Sequence, residues 1–250
     1  MKKLYEKNEL TFAIVCIVIY CVMQSLANPL NEMIGIESSA SAVFCIIQAV
    51  IIFGFIKKNG MQKRYGLCKT PVPASRFIYY IPLIILTTIN LWHGCAVNFS
   101  LAGTFCYIVC MLCVGFVEEV IFRGFLFRAL AKDNAKRAVI ISSVTFGLGH
   151  LLNLVNGRGM ELVENLFQVA GAVAFGFLFV TIFYRGKTLI PCIIAHSVIN
   201  ATSVFANETG LTVEKSIVSN LIMLVIIIVY TLILTKTLPK DRCENADGRV

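Results

Sequence analysis

The segment "VGFVEEVIFRGFLFRAL", Val114 to Leu130, sets two adjacent glutamates, Glu118 and Glu119, and an arginine, Arg123, into a run of Val, Phe, Ile and Leu. Each such charge at the centre of a bilayer costs roughly 2.5–3.5 kcal/mol on an insertion scale, so residues kept there need a reason. Glu119 and Arg123 stand four apart, on one helix face, and can pair. Glu118 is turned away by about 100°, given about 3.6 residues per turn, and has no arginine on its own face. This pattern assigns Glu119 and Arg123 to structure and leaves Glu118 for chemistry. A carboxylate in poorly hydrated surroundings suits a general base. The plainer alternative puts all three charges at the inner interface, solvated, with Arg123 and Arg128 snorkelling.

Two of the three histidines extend the pattern. His150 lies in "TFGLGHLLN" and His196 in "AHSVINATS", both inside apolar runs, and Asn200 follows His196 by one turn on the same face. His93, beside Trp92, fits an interfacial aromatic belt instead. A lone intramembrane histidine is as readily a hydrogen-bond partner of a neighbouring helix, so depth has to decide. At about 1.5 Å per residue, His150 stands roughly 20 Å from the inner face, counted from Arg137. His196 and Asn200 stand roughly 14 and 20 Å in, counted from Lys187, and Glu118 roughly 15–21 Å in, counted from Arg128 and Lys132. Three separate helices therefore bring their polar residues to a similar depth, as a shared site requires. A water-filled cavity opening inward would hydrate it.

The elements that must position these residues are membrane spans. The chain of 250 residues is 58% hydrophobic and 14% charged, with a mean hydropathy of +0.81, far from the balance of an ordinary globular domain. Apolar runs able to cross a hydrocarbon layer of roughly 30 Å recur along its whole length. They number about eight: 10–27, 38–56, 77–91, 101–121, 138–152, 165–184, 188–206 and 216–235, the third and fifth short or interrupted. The expected fold is all-α, a polytopic transmembrane helix bundle with both termini inside. In that arrangement all 22 Lys and Arg except Arg158 and Lys215 fall on the inner side, as the positive-inside rule demands. The net charge of +8 is then a topology signal with affinity for anionic headgroups. Its division among separate inner loops argues against a nucleic-acid partner. The first span has some features of a cleavable signal peptide, which Glu6 and Glu9 fit less well. The inner loop 57–76, with Gly60, Pro71 and Pro73, is the expected flexible connection.

Other chemistries find less support. The aspartates, Asp133, Asp241 and Asp247, all lie on the inner side, so the spans hold no aspartyl dyad. There is no G-x-S-x-G, and Ser197 cannot face its neighbour His196 on a helix. Cys110 and Cys113 form a C-x-x-C with Cys106 one turn earlier, but inside a span such residues read as small apolar packing.

Taken in order, E-E-x-x-x-R (Glu118, Glu119, Arg123), F-x-x-x-H (Phe146, His150) and H-x-x-x-N (His196, Asn200) resemble the motif series of the CPBP family. These are the CAAX prenyl protease 2 and bacteriocin-processing enzymes, also called Abi proteins. The resemblance covers about residues 101–206, with 1–100 as N-terminal spans and 207–250 as a last span and basic inner tail. It implies a multi-pass intramembrane endopeptidase of the cell membrane, acting on peptide or protein substrates held at the bilayer. Substrates of the CAAX type and bacteriocin or signal-peptide precursors all fit it. It further implies that Glu118, helped by His150, activates water, that His196 and Asn200 stabilise the oxyanion, and that Glu119 and Arg123 support them. The family is also described as metalloproteases, which would make Glu118, His150 and His196 zinc ligands with a position open for water. The chain lacks H-E-x-x-H, so sequence does not fix the metal. The competing class is a non-catalytic membrane protein, such as an immunity or scaffold protein or a transporter, that keeps the polar cluster for binding. A transporter would favour matching broken helices in two halves, and Pro191 has no counterpart.

Overall fold

The computed structural model describes residues 1–151 and 162–239. The expected sides of Arg158, Lys240, Arg242 and Arg249 lie outside the described residues, as do Asp241, Cys243 and Asp247. Among the described residues the helices are α1 (Lys2–Lys7), α2 (Glu9–Ile34), α3 (Ser39–Lys58), α4 (Ile81–Leu86), α5 (Leu101–Glu119), α6 (Phe127–Ala131), α7 (Ala135–Gly149), α8 (Leu162–Gly186), α9 (Ile190–Thr202) and α10 (Val213–Thr237). The same residues hold no strand, only an isolated antiparallel bridge between Cys95 and Ala206. Helix starts follow local chemistry. The side chains of Asn8, Ser100, Asn134 and Thr212 accept from backbone N–H groups in the first turns of α2, α5, α7 and α10, satisfying donors that a helix leaves orphaned. Helix α2 stops at Gly35, whose φ of 75° is left-handed and natural to glycine.

Six segments are long and apolar enough to cross a membrane: Glu9–Ile34, Ser39–Lys58, Ala74–Leu91, Leu101–Ala131, Asn165–Gly186 and Val213–Thr237. The other two expected spans are helical but shorter, at 15 residues for α7 and Ile190–Phe205 for α9 with its last turn. Fifteen residues rise only about 22 Å at about 1.5 Å each, less than a full hydrocarbon layer. The protein is an all-α, polytopic membrane bundle. The expected interruption of the third span is a left-handed turn at Ile78, Tyr79 and Tyr80, with φ of 51°, 51° and 58°.

Small residues set the helix contacts that matter for the site. A Cβ on Gly115 would lie 2.6 Å from the backbone nitrogen of Ser197, so α5 and α9 touch backbone to backbone there. Gly176 stands equally close to Ser143, and Gly147 to Val173, which joins α7 to α8. Intramembrane helices pack closely by this route, since lipid supplies no hydrophobic drive between them.

The loop over 57–76 departs from expectation. It is pinned rather than loose. Gly66, at φ 66°, accepts the Leu189 N–H at 2.8 Å; Thr188 donates to the Cys68 carbonyl at 2.8 Å, and Thr70 to that of Gly186 at 2.5 Å. Tyr65 is buried and donates to the Tyr5 hydroxyl at 2.8 Å. Burial, reinforced by that hydrogen bond, pushes the Tyr65 phenol above its ordinary pKa, so it remains a donor. Proline and glycine mark the turns of this loop, but composition alone does not show the polar groups that α8 and α9 offer it.

Candidate active site

Helix α5 ends at Glu119 and a π-helical segment, Val120–Leu126, continues it into α6. π-Turns are rare and concentrate at functional sites. Their wider ladder leaves carbonyls in need of partners, and the Ser142 hydroxyl of α7 donates to that of Phe122 at 2.9 Å. Arg123 sits inside this segment with no solvent exposure.

Glu119 is equally sealed. Its Oε1 lies 3.1 Å from Arg123 Nη1 and 2.8 Å from His196 Nδ1. A carboxylate paired with arginine only accepts, so Nδ1 carries the hydrogen and donates. The Arg123 contact is an ion pair out of hydrogen-bond alignment, and among the described residues the guanidinium nitrogens and Glu119 Oε2 have no hydrogen-bond partner. Arg123 instead lies 3.9 Å above the ring of Phe146 and 5.6 Å from that of Phe179, where the π-faces offer it negative potential.

Glu118 points elsewhere. Its side chain keeps 13% exposure against 0% for Glu119. Its Oε2 faces His196 Nε2 at 3.4 Å, and its Oε1 accepts the Tyr20 hydroxyl at 2.5 Å. His196 thus stands between the two glutamates, one ring nitrogen toward each. Phe146 joins the histidines, with ring centroids 5.2 Å from His150 and 5.7 Å from His196. His150 caps α7; its Nδ1 meets the Phe146 carbonyl at 3.2 Å, and its carbonyl accepts from Asn165 at 3.0 Å. Asn200 lies one turn beyond His196, half-buried. Its carbonyl accepts from Ser203, while its side chain makes no hydrogen bond to a described residue.

Glu118, Glu119, Arg123 and His196 therefore meet directly, His150 joins through Phe146, and Asn200 stands on the His196 face without touching them. His93 is apart, bonded to Ser219 at 2.8 Å. Sequence reasoning missed Tyr20. A tyrosine among the aliphatic residues of a first span has no spacing relation to a carboxylate 98 positions away. It also missed the His196–Glu119 contact, for the same reason. Both ring nitrogens of His196 face glutamates, and the described residues include no group of three or more His, Cys, Asp or Glu side chains placed to hold a metal ion. As arranged, Glu118, His150 and His196 do not fit a three-ligand zinc set.

Residues 99–202 match the family model of type II CAAX prenyl endopeptidase Rce1-like proteins. Over that stretch the chain is similar to the CPBP family. No curated protein and no solved structure matches it. At the family level the match supports a membrane-embedded protease of the CAAX type. The stretch that carries the CPBP match contains Glu118, Glu119, Arg123, His150, His196 and Asn200, but not Tyr20. The first span therefore enters the site from outside the matched region.

Proposed function

We propose that the protein hydrolyses membrane-associated peptides or proteins, with CAAX-type and bacteriocin or signal-peptide precursors as the substrate classes. Glu118 is the general base. It takes a proton from water while the water oxygen bonds to the scissile carbonyl carbon. Collapse of the tetrahedral intermediate breaks the C–N bond, and the proton passes to the leaving nitrogen. His150 assists Glu118, and the oxyanion receives hydrogen bonds from the Asn200 amide and from His196 in the form that carries a hydrogen on both ring nitrogens, Nδ1–H toward Glu119 and Nε2–H toward the substrate. Glu119 and Arg123 hold His196 and the helix.

The observation that carries this reading is the division between adjacent glutamates. Glu119 is closed off by Arg123 and His196, whereas Glu118 keeps a partly exposed carboxylate beside the same histidine. The free amide of Asn200 suits a donor that waits for substrate.

The test is cleavage of quenched hydrophobic peptides, some with a prenylated C-terminus, by protein in liposomes. Loss of a general base lowers turnover about 10²–10⁴-fold, which is the expectation for Glu118→Gln. His150→Ala should lose a smaller share. A chelator that abolishes wild-type activity would favour the zinc reading. Glu118→Gln as active as wild type would remove Glu118 from the mechanism.

A further inference from the structure

Helix α2 turns one apolar face outward: Ile14, Val15, Val18, Ile19 and Val22 are all exposed. Tyr20 points the other way, and its hydroxyl donates to Glu118 Oε1 at 2.5 Å. A buried phenol needs a polar partner, and an O–H donated to a carboxylate at this distance is a charge-assisted hydrogen bond. It occupies one carboxylate oxygen and leaves Oε2 on the His196 side.

The height of Tyr20 is fixed by what holds α2. At the inner end Glu9 takes both Arg64, at 2.7 Å, and Lys132, at 3.0 Å. At the outer end the Asn31 side chain accepts from the Ala40 N–H and donates to Ser41 Oγ, each at 2.8 Å. Between them Gln24 reaches Cys45 Sγ at 3.0 Å. The phenol is thus carried to Glu118 by a helix clasped at both ends.

We infer that Tyr20 is a positioning residue: its phenol ties Glu118 Oε1 and thereby presents Oε2 to the water and peptide. The inference rests on Glu118 acting as the general base proposed above. It extends the functional unit to α2, beyond the segment that defines the family.

The test compares wild type, Tyr20→Phe, Glu118→Gln and Tyr230→Phe. Tyr230 is a control, since its hydroxyl donates to the Phe77 carbonyl at 2.8 Å. Tyr20→Phe should lower kcat about tenfold, the scale of one hydrogen bond to a charged group, with KM unchanged. Tyr230→Phe should leave kcat alone. A second arm needs no turnover: a hydrophobic carbodiimide should modify Glu118 several-fold faster in Tyr20→Phe, because loss of the charge-assisted hydrogen bond leaves the carboxylate more nucleophilic and less held. Wild-type kcat and labelling in Tyr20→Phe would overturn the inference. So would equal losses in Tyr20→Phe and Tyr230→Phe, which would reduce Tyr20 to packing. If Glu118→Gln is fully active the general-base reading fails, and with it the inference's kinetic arm. The labelling arm still decides separately whether the phenol holds Glu118.

Discussion

Arg123 and Glu119 are both without exposure, and a charge so placed persists only with its counterpart. Removing one partner of a buried pair typically costs about 3–5 kcal/mol, whereas replacing both by apolar groups is often neutral. Glu119→Gln should therefore lower the thermal midpoint in detergent by about 10 °C, at about 2–4 °C per kcal/mol for a chain of this size. Glu119→Gln/Arg123→Met should recover most of that loss, because Met fits between Phe146 and Phe179. A Glu119→Gln protein as stable as wild type would mean that the pair contributes nothing. At this scale helical spacing made the Glu119–Arg123 pair legible and set Glu118 apart from it. The rest of the site was hidden, because Tyr20 and His196 reach the glutamates across 98 and 77 residues. No local periodicity encodes contacts of that range, and only the depth estimate hinted that His196 could take part.

The contact between His196 and Glu119 depends on how closely two helices approach. Gly115 lies one turn before Glu119 and meets Ser197, the neighbour of His196, whose hydroxyl also donates to the Leu112 carbonyl at 3.0 Å. A methyl group at Gly115 would collide with Ser197 backbone at 2.6–2.8 Å, and backbone cannot swing aside as a side-chain tip can. Gly115→Ala should push α9 away from α5, stretch the His196–Glu119 bond and reduce peptidase activity by at least about tenfold, the effect of displacing a catalytic constellation by a fraction of an ångström. Gly54→Ala, with nothing within 4 Å of its would-be Cβ, should leave both activity and thermal midpoint within error. Equal behaviour of the two alanines would show that the close crossing is unimportant. Hydropathy located the six long apolar segments and the shorter Ile190–Phe205, since each needs only composition to be seen. It could not show that α5 passes into a π-helix. That change depends on a partner from α7, the Ser142 hydroxyl, and on the fit of Arg123 between aromatic rings.

Across the whole molecule, charge bias and packing meet at one end of the bundle. Arg64 and Lys132 share Glu9. Arg76 reaches the Thr237 carbonyl at 3.4 Å, while the Thr237 hydroxyl donates to the Arg76 carbonyl at 2.7 Å; Arg185 donates to Thr235. These links gather the starts or ends of α2, α6, α8 and α10 with residues that the positive-inside rule assigns to the inner side. At the opposite end the Ala96 N–H donates to Phe205 at 3.0 Å, and the Asn98 amide to Val204 and Ala206 at 2.9 Å each. Among the described residues the bundle therefore has a basic end and an opposite end whose charges are mostly acidic, Glu32, Glu37, Glu208 and Glu214 against Lys215. Sequence made this division legible because topology is written in loop charge, which needs no contact to be read. It left the clasp at Glu9 unread, because that requires three inner segments to converge. The orientation can be measured with the cysteines already present. Cys95 is exposed beside Ala96, and Cys68 lies in the loop at the basic end, near the Lys187 carbonyl. In a cysteine-depleted background, a membrane-impermeant maleimide applied to intact cells should label a variant retaining Cys95. It should reach one retaining Cys68 only after permeabilisation. The reverse pattern would place the basic end outside and overturn the inward opening expected from the depths of Glu118, His150 and His196.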